Sequence, residues 1–247
     1  MSTLTSNNIE PATGTTLTLG AAGDVVTLAS DSIQTNLYKD SGGNTLFQSD
    51  GAGTLSNINA AIAGYGPKLI QTQSVAIGSI PLTTYVDFTS GIDSTYDKYW
   101  FVVEGFIPSG NSGSLYFHAS LNAGTSWTVP MYTTYGRVYQ YESNGSDGMS
   151  YMTGADVVDG YPQPLLWEVS NATDTCCSCI LELYAPSNTS YVKQFMSRMV
   201  GMEYYPGMGE GFASGYLNTN SAITGIRFAS NSGMTIKAGK FSLYGIA

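Results

Sequence analysis

Charge is scarce in this sequence. Asp, Glu, Lys and Arg make up 11% of 247 residues, against ~25% in ordinary soluble domains. The nine Lys and Arg form no cluster, and eighteen Asp and Glu bring the formal net charge to −9. Nucleic-acid binding needs clustered cations to displace counterions, so no nucleic-acid partner is expected. Attraction to an anionic membrane is disfavoured for the same reason. No apolar run approaches the ~20 residues of a membrane span, so no membrane insertion is expected. The opening Met-Ser-Thr-Leu-Thr-Ser-Asn-Asn lacks the basic and apolar regions of a signal peptide, which predicts folding in a cytoplasm.

Cysteine and histidine are nearly missing too. Cys176, Cys177 and Cys179 are an odd, tightly spaced set, which cannot form a disulfide framework. A zinc site would want a fourth ligand, and the single histidine, His118, is distant in sequence. The better reading is a strand in which Cys177, Cys179, Leu181 and Leu183 share one buried face, with cysteine acting as a small hydrophobe. His118 alternates with Phe117 and Ala119, so it should face outward or toward a neighbour. No Gly-x-Ser-x-Gly elbow accompanies it. Glu142, Asp147, Asp156, Asp159 and Glu168 could in principle cleave a glycan in pairs, but their spacing has no signature and solvated acids are the simpler reading. Asp40-Ser-Gly-Gly-Asn44 lacks the pattern of a calcium loop. No catalytic residue, cofactor or metal is therefore expected.

What is present is glycine, threonine, serine and tyrosine. Composition changes near residue 67. Residues 1–66 read as an anchor or stalk of short strands at 15–19, 24–28, 32–38 and 45–48, separated by turns such as 40–44 and 50–53. Residues 56–63 could form a short helix, because Ile58 and Ile62 lie four apart. Leu17, Leu19, Val26, Leu28, Leu46 and Phe47 are the candidate oligomerisation and anchor residues of this region. So thin a ribbon cannot bury enough apolar surface alone. These residues are expected to pack between copies of the chain, and three-fold packing would hide the exposed strand edges.

Residues 67–247 read as strands. Tyr99, Phe101 and Val103 alternate with Trp100, Val102 and Glu104. Leu115, Phe117, Ala119 and Leu121 alternate with Tyr116, His118, Ser120 and Asn122. Leu165, Trp167 and Val169 lie opposite Leu166, Glu168 and Ser170. Residues 192–200 fit helix or strand. The pattern predicts an all-β chain with an antiparallel β-sandwich of jelly-roll type. Two tyrosine-rich segments, 127–151 and 203–216, read as loops. Trp127, Tyr132, Tyr135, Tyr139, Tyr141, Tyr204 and Tyr205 there are candidates for stacking on a sugar or contacting a protein, or for packing at a subunit interface.

Two blocks carry a resemblance. Thr15-Thr-Leu-Thr-Leu-Gly-Ala-Ala-Gly-Asp24 and Lys39-Asp-Ser-Gly-Gly-Asn-Thr-Leu-Phe-Gln-Ser-Asp-Gly-Ala-Gly-Thr-Leu55 resemble the shaft or anchor of bacteriophage virion proteins of the fibre type. Ile92-Asp-Ser-Thr-Tyr-Asp-Lys-Tyr99, Pro108, residues 115–121, Gly124-Thr-Ser-Trp127 and Gly239-Lys-Phe-Ser-Leu-Tyr-Gly-Ile246 resemble their globular domain. The resemblance implies a homotrimer on the virion, bound to capsid or tail proteins. It leaves open a tail fibre, a head fibre or a capsid decoration that clamps shell subunits. A glycan-depolymerase tailspike is the alternative from another class. Such modules share no catalytic residues, so the resemblance transfers none.

Overall fold

A computed structural model describes residues 37–40, 42–50, 52, 54–56, 58, 66–78, 83–142, 145–231 and 233–246. The chain divides into two compact units, Met1–Gly64 and Tyr65–Ala247. In the first, β1 (Leu37–Lys39), β2 (Thr45–Ser49) and β3 (Leu55–Ser56) form an antiparallel meander. The two turns have one design. The Asp40 carboxylate accepts from the amides of Gly42 and Asn44 at 2.9 and 2.8 Å. The Asp50 carboxylate accepts from those of Ala52 and Thr54 at 2.7 and 3.0 Å. Aspartate thus replaces turn amides' lost ladder partners. These bonds, led by the Asn44 side chain for Asp40 and the Ala52 amide for Asp50, hold both carboxyls below their usual pKa. Tyr38 stacks on its cross-strand partner Phe47 at 4.3 Å. None of the described residues of these strands is fully buried; Leu46 and Phe47 are half-buried. Leu17, Leu19, Val26 and Leu28 lie outside the described residues, as do the first two expected strands and most of the expected 56–63 helix. Ser56 itself ends β3.

The second unit holds β4 (Lys68–Val75), β5 (Tyr85–Phe88), β6 (Lys98–Pro108), β7 (Gly113–Ser120), β8 (Met131–Tyr141), β9 (Asp147–Tyr151), β10 (Val158–Gly160), β11 (Gln163–Val169), β12 (Cys177–Tyr184), β13 (Lys193–Met202), β14 (Gly207–Leu217), β15 (Gly225–Ser230) and β16 (Ile236–Ile246). One short 3-10 turn, Thr153–Ala155, follows β9. All pairings are antiparallel. One sheet runs β4-β16-β6-β12 and the other β5-β15-β7-β11. Number those eight strands along the chain, and the orders become 1-8-3-6 and 2-7-4-5. That is the jelly-roll order, in which every step but the fourth to fifth changes sheet. The remaining strands extend only the first sheet, beyond β12, as β13-β14-β8 with β9 and β10 on β8. The expected all-β sandwich is therefore present, with one sheet of nine strands and one of four.

Four phenylalanines tie the layers together. Phe88 and Phe228 come from the four-stranded sheet, Phe101 and Phe241 from the larger one. Their ring centroids lie 5.5–6.1 Å apart in successive pairs, and all are at most 1% exposed. The alternation read in β6 and β12 holds: Tyr99, Phe101, Val103, Cys177, Cys179, Leu181 and Leu183 are buried. Gly105, at φ +64°, lies in the β6 segment where pairing with β12 slips register; that left-handed backbone suits glycine.

The segment that fits helix or strand is a strand: 193–200 fall in β13, where burial alternates strictly through Phe195, Ser197 and Met199. Two expectations need correction. The alternation expected at 165–170 fails, because β11 shifts register twice against β7 and Glu168 takes φ +51°. Leu165 and Leu166 are consequently both buried. Leu121 is 42% exposed because β7 ends at Ser120.

Candidate functional site

The tyrosine-rich segments are strands, not loops. Trp127 precedes β8, Tyr132, Tyr135, Tyr139 and Tyr141 lie in β8, and Tyr204 and Tyr205 sit in the turn between β13 and β14. The missed signal was glycine at period two. Gly207, Gly209 and Gly211 all point inward from β14. A Cβ at Gly209 would run into the Glu203 carboxylate, and one at Gly211 into the Tyr135 hydroxyl. The glycines thin this strand so that long side chains fit beneath it.

What fits is a buried ion pair. Arg137 Nε donates to Glu203 Oε1 at 2.7 Å, and Nη2 donates to Glu203 Oε2 and to the Tyr141 hydroxyl, the latter at 2.7 Å. The Arg137 and Glu203 side chains are 10% and 3% exposed. Burial opposes both charges. Against it, the Glu203 contact holds the Arg137 pKa above its ordinary value, while Glu203 remains raised by burial despite the arginine. The guanidinium lies 4.8 Å from the Tyr139 ring. Tyr141 meets Tyr205 at 5.9 Å, and Tyr205 meets Tyr204 at 5.1 Å. Tyr139, Tyr141, Tyr204 and Tyr205 thus gather around one arginine. Tyr132 does not join them: it stacks on Tyr216 at 5.4 Å. Tyr135 is 1% exposed and belongs to the core, so it offers no surface for a partner; burial raises its phenol pKa.

Trp127 belongs to a second arginine site, on the outer face of the four-stranded sheet. Arg227 of β15 lies between the Tyr85 and Trp127 rings, 4.0 and 4.5 Å from their centroids. Its Nε and Nη2 each donate to Asp87 at 2.7 Å, a bidentate pair across neighbouring strands. In the adjacent row, Ala229 sits between Tyr85 and Tyr116. A small side chain flanked by two large ones makes a hollow, and a groove of about 490 Å³ opens there between Tyr85, Tyr116, His118, Pro162, Arg227 and Asn231. Sequence reasoning missed Arg227, Asp87 and Tyr85, because only strand register brings residues 140 positions apart into contact.

His118 lines this groove. Its outward direction follows from the strand alternation, but it is packed rather than free. Burial lowers its pKa from the usual 6.5; the Arg227 charge acts the same way, and the Trp127 backbone and Asp87 oppose it. A depressed folded pKa means the unfolded chain binds the proton first. Stability from this group is full above 6.5 and is lost as pH falls toward the folded value. The melting temperature should therefore drop between pH 7 and pH 5, and His118→Gln should flatten that drop. Equal slopes for the two proteins would refute the assignment.

Of the acids singled out in the sequence, Glu168 lies close enough to Glu203 for its charge to add to the rise in that carboxyl's pKa. Asp156 accepts from the Tyr135 amide at 2.9 Å and from the Tyr151 hydroxyl, clamping β8 to the turn after β9. Cys177 and Cys179 are buried, with the Cys177 thiol pushed up to about 12 by burial; Cys176 is exposed. Among the described residues, no three His, Cys, Asp or Glu side chains are grouped to hold a metal. Comparison with protein-family models, curated proteins and solved structures gave no match for this chain.

Proposed function

We propose that this protein is a non-enzymatic structural protein of a phage virion. In this reading it is a homotrimeric fibre whose N-terminal region attaches to the particle and whose jelly roll is displayed for contact with the host surface. The observation that carries it is the one-sided enlargement of the sandwich. The added strands give the large sheet a broad outer face bearing Met196, Val200, Met208, Phe212, Met149 and Tyr151, all exposed. The Phe212 row continues through Arg198, which pairs with Glu210, into Ile180 and Val102, and Arg198, Glu210, Ile180 and Val102 line a shallow hollow of about 480 Å³. A lone soluble domain rarely leaves so many large apolar side chains in water on one face, even with an ion pair set among them. Packing against further copies would cover it. The meander β1–β3 supports the same reading, since none of its described strand residues is fully buried within one chain. So does the resemblance of 15–24 and 39–55 to fibre shafts.

Sedimentation equilibrium at micromolar concentration tests the assembly. The expected mass is three times 26.2 kDa, and Val200→Lys combined with Phe212→Glu should reduce it to the monomer. A wild-type monomer would sink the trimer. Labelled antibody on purified phage particles tests the location, with labelling at one fixed site expected and an unlabelled particle counting against it.

A further inference from the structure

We infer that the Arg227 groove binds a neutral saccharide. The assignment rests on the reading of the jelly roll as the displayed part of the protein and names what that part would hold. Three features of the groove point to this ligand class.

The first is the mixture of polar groups. Asp87 takes two of the Arg227 nitrogens, and the third has no partner among the described residues. Asn231 uses its carbonyl oxygen for the Ser114 amide, at 3.0 Å, and the Ser230 hydroxyl. Its amide nitrogen has no partner among the described residues. The Tyr85 hydroxyl has none either. Asp87 is spent on Arg227 beside the groove, and within the lining the Tyr85 hydroxyl can accept as well as donate. A hydroxyl both donates and accepts, and neighbouring hydroxyls on a sugar match a fixed array of such groups.

The second is charge. Arg227 and Asp87 neutralise each other at 2.7 Å, and both Arg227 faces are covered by Tyr85 and Trp127. A site for a phosphate or carboxylate would keep its guanidinium fork unspent. Here the fork is occupied, which favours an uncharged polyol.

The third is shape. Tyr85 and Tyr161 are 49% and 48% exposed, and Tyr161 lies 6.3 Å from the His118 ring. Tyr85 and Tyr116 bound opposite sides of a hollow floored by Ala229, which is 4% exposed, and Tyr161 lies beside it, next to Pro162 of the lining. About 490 Å³ holds a ring or two but is narrow for a protein partner, which needs ~800 Å² on each side. Aromatic rings offer apolar faces to the C–H face of a sugar while their hydroxyls stay wet.

Saturation-transfer NMR on the full chain tests this with galactose, glucose, N-acetylglucosamine and rhamnose. Transfer to the ring protons of at least one sugar is expected. Ala229→Leu, which fills the floor, should abolish it, and so should Tyr85→Ala with Tyr116→Ala. Melting curves like that of the parent protein confirm that the variants fold. No transfer to any of the four, transfer undiminished in both variants, or binding of glucuronate alone would overturn the proposal. Virion labelling is independent of this result, so a failed sugar site and a failed fibre reading are told apart.

Discussion

Phe228→Ala is expected to destabilise the jelly roll by about 3–5 kcal/mol. Phe228 is fully buried and touches rings from both sheets: Phe88 beside it, and Phe101 and Phe241 across the interface, at 6.1, 5.8 and 5.5 Å. Truncation removes the transfer energy of a phenyl ring and leaves a cavity that neither sheet can close, because both are held in register on each side. Urea unfolding of the two proteins measures the difference. Phe228→Leu should cost much less, since it restores most of the volume. A loss under about 1 kcal/mol for the alanine variant would show that the sheets are not joined through this cluster.

Glu203→Ala should have the next largest effect, also about 3–5 kcal/mol. The mechanism differs. Arg137 would remain beneath β14 with its charge intact and only the Tyr141 hydroxyl, at 2.7 Å, as a hydrogen-bond partner. The cost is that of an uncompensated buried charge rather than of a lost contact. The double replacement Arg137→Met with Glu203→Leu removes both charges and should return most of the stability, to within about 1 kcal/mol of the parent. If the double variant is as unstable as the single one, packing under the β14 glycines rather than charge controls this region. The same pair bears on the tyrosine cluster. Tyr139 and Tyr141 are placed by Arg137, so they should lose order in the single variant.

The legible part of the fold was its period. Alternation in β6, β7 and β12 identified the buried faces, because a strand exposes every second residue to the core. Scarce charge and abundant turn residues argued for short antiparallel strands, and the Asp40 and Asp50 turns follow from aspartate bonding its own downstream amides. The illegible part was where the period breaks or is masked. In β14 the inward positions are glycines, which carry no hydrophobic signal, so the segment read as a loop. In β11 two register shifts put consecutive leucines inside. Tyr135, Tyr139 and Tyr141 share one face of β8, so alternation alone does not separate the buried Tyr135 from the half-buried other two.

By itself the sequence determined the local chemistry: which residues alternate, where turns fall, and that no cluster of cations was available for nucleic acid. Tertiary structure decided what those residues meet. Arg227 and Asp87 are 140 positions apart, Arg137 and Glu203 66 apart, and neither pair has a local signature. Strand order brings them together: the jelly roll sets β15 beside β5, and the strands that extend the large sheet set β8 beside β14, next to the turn that carries Glu203. Strand period is a property of adjacent residues, whereas a site in this fold is a property of register between strands.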